Sequence, residues 1–244
     1  VSSWITTVPD GADTVVIQED TQADGERITM KESEPLGRWI RAAGMDFRTG
    51  DALLARGRRL GPAELSLAAA MNHPLVPVVR KPLVAILATG DELVPPGVTP
   101  GPDQIVCSNN FAVAALSERA GAACVDLGIA PDNYPDIEAA IRRARDMGAD
   151  ILVTLGGASV GDHDLVQEAL KNQGMDLGFW RIAMRPGKPL MHGRIGDMRV
   201  LGLPGNPVSS IVCAHLFLQP LIRKLLGDPN AAADRSIAAV LGAD

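Results

Sequence analysis

LVAILAT (83–89), ACVDLGI (123–129) and DILVTL (150–155) are three short apolar runs, and helical patterns over 109–120 and 136–147 fill the gaps between them. Strand-length runs that alternate with helices imply βαβ units, and therefore a mainly parallel sheet with helices on both faces, an α/β fold. The pattern continues downstream. A helix is expected over about 163–173, strand-like segments at 179–184 and 199–203, and one last helix from Pro207 to Leu225.

The chain reads differently before Pro82. DTVVIQ (13–18) and RITMK (27–31) flank Asp24-Gly25 and predict a β-hairpin or meander, and Pro62 opens a helix that ends near Asn72. The expected division is a partial β-rich domain over 1–35, a connecting small α/β subdomain over 36–80 and the α/β domain over 81–228. Residues 229–244 read as a linker or the start of a missing C-terminal β domain. A first residue of Val1 and an Ala-rich end read as part of something longer.

With 244 residues, 46% of them hydrophobic, the chain can bury a real core. Its net charge is −6 and its Lys and Arg residues are scattered, which argues against nucleic acid as a partner. No apolar run approaches the roughly 18–20 residues of a membrane span, and no signal segment opens the chain, so a cytosolic protein is expected. Cys107, Cys124 and Cys213 lack any CxxC spacing and read as reduced packing thiols. Trp39, Phe179 and Trp180 are expected to pack.

In an open parallel sheet, ligands bind beyond the carboxyl ends of the strands. There the sequence places Thr89-Gly90-Asp91-Glu92, then Asp132, then Gly156-Gly157-Ala158-Ser159-Val160-Gly161-Asp162-His163-Asp164. Gly156, Gly157 and Gly161 let backbone amides approach an anion such as a phosphate, although a ligand-free tight turn would use the same residues. A second strand–turn–helix junction is Pro204-Gly205-Asn206-Pro207, with Asn206 or a nearby serine as helix cap. Arg185-Pro186-Gly187-Lys188-Pro189 holds two cations on a proline-bounded turn. The acids Asp91, Glu92, Asp132, Asp162 and Asp164 suit either helix caps, the favoured reading for Asp162, or Mg²⁺ held beside phosphates. His163 lacks a partner at metal-ligand spacing and reads as a surface histidine.

TGDEL (89–93), GGASVGDHD (156–164), MRPGKP (184–189) and LPGNPVS (203–209), with PDGADTVVIQED (9–20) and IRAAGMD (40–46) upstream, resemble the molybdopterin molybdenumtransferases, the group that includes gephyrin's E domain. The resemblance covers nearly all of residues 8–228. It implies a homodimer of multidomain subunits, in which molybdate replaces the adenylyl group of adenylylated molybdopterin and AMP leaves. It further implies that Asp132 and Asp164 hold Mg²⁺, while Thr89, Gly90, Asp91, Gly156, Gly157, Ser159, Gly161, Pro186, Gly187, Pro204, Gly205 and Asn206 bind the pterin nucleotide. Arg185 and Lys188 then meet molybdate, Glu92 lies in the same pocket, and Arg41 and Asp46 come from the neighbouring domain. A molybdopterin adenylyltransferase is the implied supplier.

The chain departs from that pattern in having Arg181 and Arg185 where the family often has Lys, and Met45 where it often has an acid or small polar residue. A DGYA motif is missing. Two rival readings are a single-domain molybdopterin adenylyltransferase, against which the β-rich start argues, and a noncatalytic gephyrin-like scaffold, against which the intact acids and basic turn argue.

Overall fold

The computed structural model describes residues 7–157, 164–233, 237–239 and 242, and the chain resolves into two compact units, Val1–Ala55 and Arg56–Asp244. Among its described residues the first unit holds one hairpin, β1 (Thr21–Asp24) and β2 (Arg27–Met30). Gly25 stands at the turn with φ 59°, the positive φ a two-residue hairpin turn needs at its first position. The turn lies where the sequence put it, but the partner strand is not 13–18. That segment instead runs beside residues 37–38, where Val15 N–H donates to the Arg38 carbonyl at 3.1 Å and Gly37 N–H to that of Asp13 at 2.8 Å. Trp39 is 53% exposed rather than packed.

The second unit opens with helix α1 (Pro62–Ala70), whose Glu64 carboxylate accepts from the Gly61 N–H at 2.9 Å. Strands β3 (Leu83–Thr89), β6 (Ala123–Ala130), β7 (Ile151–Leu155), β8 (Asp176–Trp180), β9 (Met191–Ile195) and β10 (Met198–Leu203) form one sheet in the order β6-β3-β7-β10-β9-β8. The first four are mutually parallel, and β9 runs antiparallel to both neighbours. A pair of two-residue strands, β4 (Leu93–Val94) and β5 (Ile105–Val106), forms a small separate ladder. The sheet is thus the mainly parallel α/β sheet expected. Strand β9 was missed because MHGRI is too polar to stand out, and residues 181–184 turn away instead of extending β8, with Arg181 at φ 70°.

Side chains of the central strands alternate between two cores, as the two-residue strand period requires. Val84, Ile86, Ile151, Val153, Leu201 and Leu203 face helices α2 (Asn109–Ala120), α5 (Pro207–Cys213) and α6 (Gln219–Leu225). Ala85, Leu87, Leu152 and Val200 face α3 (Tyr134–Asp146) and α4 (Leu165–Asn172). The expected single last helix is continuous in backbone direction, but a π-helical segment, Ala214–Leu218, lies between α5 and α6. Among the described residues no helix is long and apolar enough to cross a membrane.

Candidate functional site

Strand order places the switch point between β3 and β7, where one crossover leads out to β6 and the later ones lead the other way. Four strand ends meet there. Gly90 N–H donates to the Ala130 carbonyl at 3.3 Å, and Asp132 N–H to Asp91 Oδ1 at 3.0 Å, which ties the β3 and β6 ends together. At Gly156, φ is 94° and an added Cβ would stand 2.6 Å from the Thr89 carbonyl oxygen, so only glycine fits between β3 and β7. Gly156 also lies 3.4 Å from where a Cβ on Gly205 would be, so the two glycine turns touch. Asn109 Nδ2 donates to the Gly205 carbonyl at 2.7 Å and anchors the second turn to α2.

Between these turns lies a cleft of about 300 Å³. Of the residues singled out from sequence, Thr89, Glu92, Gly156, Gly205 and Asn206 line it. The opposite wall comes from Leu93, Ile105, Cys107, Asn109 and Asn110, none of which the sequence reading selected. The available signal was the Cys107-Ser108-Asn109-Asn110 run at the start of a helix, a place where side chains and helix amides face the strand ends. Asn110 is fixed in orientation: its Nδ2 donates to Asp126 at 2.9 Å and its Oδ1 accepts from the Cys107 thiol at 3.4 Å.

The carboxylates differ in environment. Asp164 is only 4% exposed and is the N-cap of α4, with Oδ1 accepting from Gln167 N–H at 3.0 Å. Its other oxygen, Oδ2, has no hydrogen-bond partner among the described residues, and neither does the buried Thr89 hydroxyl. Burial pushes the Asp164 carboxyl above its usual range. Burial likewise raises that of Asp132, and the nearby Asp91 and Glu92 charges add to the rise. Among the described residues no three His, Cys, Asp or Glu side chains form a metal cluster. Ser159, Gly161, Asp162 and His163 lie outside the described residues.

Asn206 caps α5, accepting from Ser209 N–H at 3.2 Å, and Pro207 occupies the first turn as expected. Pro204 is buried behind that junction. The Arg185–Lys188 turn follows β8 and contains a cis Arg185–Pro186 bond. Ile182 N–H donates to the Lys188 carbonyl at 2.9 Å and Leu190 N–H to that of Gly187 at 3.1 Å, so the turn is closed on itself while Arg185 and Lys188 remain exposed. Neither cation lines the cleft. Arg181 lies over the Trp180 ring at 4.1 Å, a stacking that a lysine ammonium could not make with a planar face. In the first unit, Arg41 pairs with Asp46 through both carboxylate oxygens, at 2.5 and 2.7 Å.

A parallel sheet with glycine turns and acids gathered at one rim defines a ligand-binding α/β domain. The chain belongs to the family described as the probable molybdopterin binding domain, whose model matches residues 85–224. Residues 6–72 match the MoeA N-terminal region (domain I and II), which disfavours a single-domain adenylyltransferase. The chain is 39% identical over 221 residues to a molybdopterin molybdenumtransferase of Haemophilus influenzae, covering 90% of this chain and 54% of that protein. It is 40% identical over 223 residues to the protein of that name from Nostoc, covering 90% and 51%. The crystal structure of a molybdopterin biosynthesis MoeA protein from Pyrococcus horikosii superposes with a TM-score of 0.73 at 32% identity, covering 91% of this chain and 55% of that one. The chain therefore spans about half the length of the relatives it matches.

Proposed function

We propose that this chain is the substrate-binding part of a molybdopterin molybdenumtransferase, which exchanges the adenylyl group of adenylylated molybdopterin for molybdate and releases AMP. The observation that carries this reading is the identity of 39–40% to two proteins of that name, running through both units. The cleft supports it. Thr89, Gly156, Gly205 and Asn206 bring backbone close to a ligand at strand ends, as a phosphate-bearing substrate requires.

Mg²⁺ fits the rim. Asp164 Oδ2 is buried with no partner among the described residues, and Asp132 is crowded by like charge, conditions that a cation relieves. One or two carboxylates suffice, because Mg²⁺ takes its remaining ligands from phosphates and water. When bound, Mg²⁺ would neutralise charge on the phosphate oxygens. Arg185 and Lys188 hold molybdate, a dianion that repels the phosphate it must approach; electrostatic elements of this kind contribute roughly 2.7–4 kcal/mol each. Ser159 and Gly161 extend the pterin-nucleotide site. The protein acts in the cytosol as a homodimer, and a nucleotidyl-transfer enzyme, a molybdopterin adenylyltransferase, must supply its activated substrate.

Lys188→Ala tests this reading in the full-length protein. AMP release at low molybdate should fall at least tenfold, while affinity for the adenylylated pterin changes less than threefold, because the cation holds molybdate and not the pterin. Unchanged AMP release, or an equal loss of pterin affinity, would assign Lys188 to structure or cofactor binding instead.

A further inference from the structure

We propose that Cys213 is a positioning residue whose sulfur sets the height at which the Arg185–Lys188 turn is held over α5; this rests on the reading of that turn as the molybdate-facing element. Cys213 is fully buried in the last turn of α5. Directly against it lies Gly187, itself buried, with φ 114°. An added Cβ on Gly187 would fall 2.6 Å from Cys213 Sγ and 2.4 Å from Met184 Cε, so the turn backbone rests on these two sulfur-bearing side chains with no room to settle further.

Two further observations convert that contact into control of a charge. The turn is internally closed through the Ile182–Lys188 and Gly187–Leu190 hydrogen bonds, so displacement at Gly187 carries Lys188 with it. The helix that bears Cys213 begins at Pro207, immediately after Asn206 in the wall of the cleft. One short helix therefore carries the cleft's glycine junction at its start and the seat of the basic turn at its end. The distance between substrate junction and basic turn is set by how tall residue 213 is. Burial pushes the Cys213 thiol up, so it stays a neutral spacer.

The test uses the 244-residue chain and molybdate as the probe, with affinity measured by equilibrium dialysis and turn position by the Gly187 and Lys188 amide resonances. Lys188→Ala should weaken molybdate binding about tenfold, which tests the reading of the turn independently of Cys213. Cys213→Leu should shift both amides and weaken binding to a similar degree, and the near-isosteric Cys213→Ser should restore both. In a Lys188→Ala background, Cys213→Leu should cost less than threefold, because its effect runs through the cation already removed. If Cys213→Leu does not fold, Cys213→Ala replaces it: the turn then drops into the space left, again shifting both amides and weakening binding with the same non-additivity. Lys188→Ala without effect overturns the functional reading. A Lys188→Ala loss accompanied by unchanged binding in the Cys213 variant, or by fully additive losses, overturns the positioning role.

Discussion

Asp164 sits in a different environment from the one its place in the sequence suggests. Its place after a glycine turn marks it in the sequence as either a helix cap or a Mg²⁺ ligand, with the cap role favoured for Asp162. In the structure Asp164 itself is the cap, buried, with one oxygen used and the other without a partner among the described residues. The distinction was not legible because the helix start shifts by two residues, and burial depends on α4 packing over the sheet. It changes the expected behaviour of Asp164→Asn. Asparagine caps helices about as well as aspartate, so the α4 start is kept. The folded-state carboxyl is raised, so its charge costs stability once pH exceeds that raised value, and a neutral amide removes this cost. The variant should melt no lower than the parent at neutral pH, yet lose at least tenfold in magnesium-dependent affinity for adenylylated molybdopterin. Calorimetry with and without magnesium decides; equal affinity would sink the metal role of Asp164.

At the scale of elements, legibility followed contrast. Strand β3 and helix α2 sit where apolar runs and helix signals put them, because LVAILAT is buried on both faces and Gly121 stops α2 in a left-handed turn. Strands β8 and β9 were harder: β8 is an edge strand with three of its five residues exposed, and β9 carries His192 and Arg194. The cleft wall built by β4 and β5 was invisible, since two-residue strands leave no periodicity. The start of β7 has its own fastening. Asp150 accepts from Arg80 at 2.6 and 2.7 Å and from Leu83 N–H at 2.7 Å, which binds the β3 and β7 entrances together. The Arg80 guanidinium, then the backbone bond, holds the Asp150 carboxyl below its ordinary value against the opposing effect of burial. For an acid so depressed, the stabilisation is fully present above the unfolded-state pKa and is lost as pH falls through the folded one. Because Arg80 is largely exposed, the pair is discounted for screening, and Asp150→Asn should cost only about 1 kcal/mol at pH 7. Urea titrations should show the gap from the parent narrowing as pH falls below the ordinary aspartate range; a gap that stays constant with pH would assign the effect to packing.

Across the whole molecule, the two units differ in what can hold them together. Every buried side chain among the described residues belongs to the unit that begins at Arg56, and both hydrophobic clusters lie inside it. Among the described residues up to Ala55 none is buried, and the one hairpin is exposed at seven of its eight strand positions. A two-stranded hairpin with no covered face is at best marginally stable in water. The sequence pattern anticipated this imbalance in part, because the apolar runs are long and frequent only after Pro82. It could not show that Val15 and Ile17 pair with no strand, since that depends on where residues 37–38 run. Residues 56–244 expressed alone should therefore keep the sheet and unfold in one cooperative transition, with a melting temperature within about 4 °C of the intact chain, the upper end of the shift expected for roughly 1 kcal/mol. Residues 1–55 alone should give the circular dichroism of an unfolded chain. Far-ultraviolet spectra and thermal melts of the two pieces check both halves, and a loss of cooperativity in residues 56–244 would mean that the first unit contributes to the stability of the sheet.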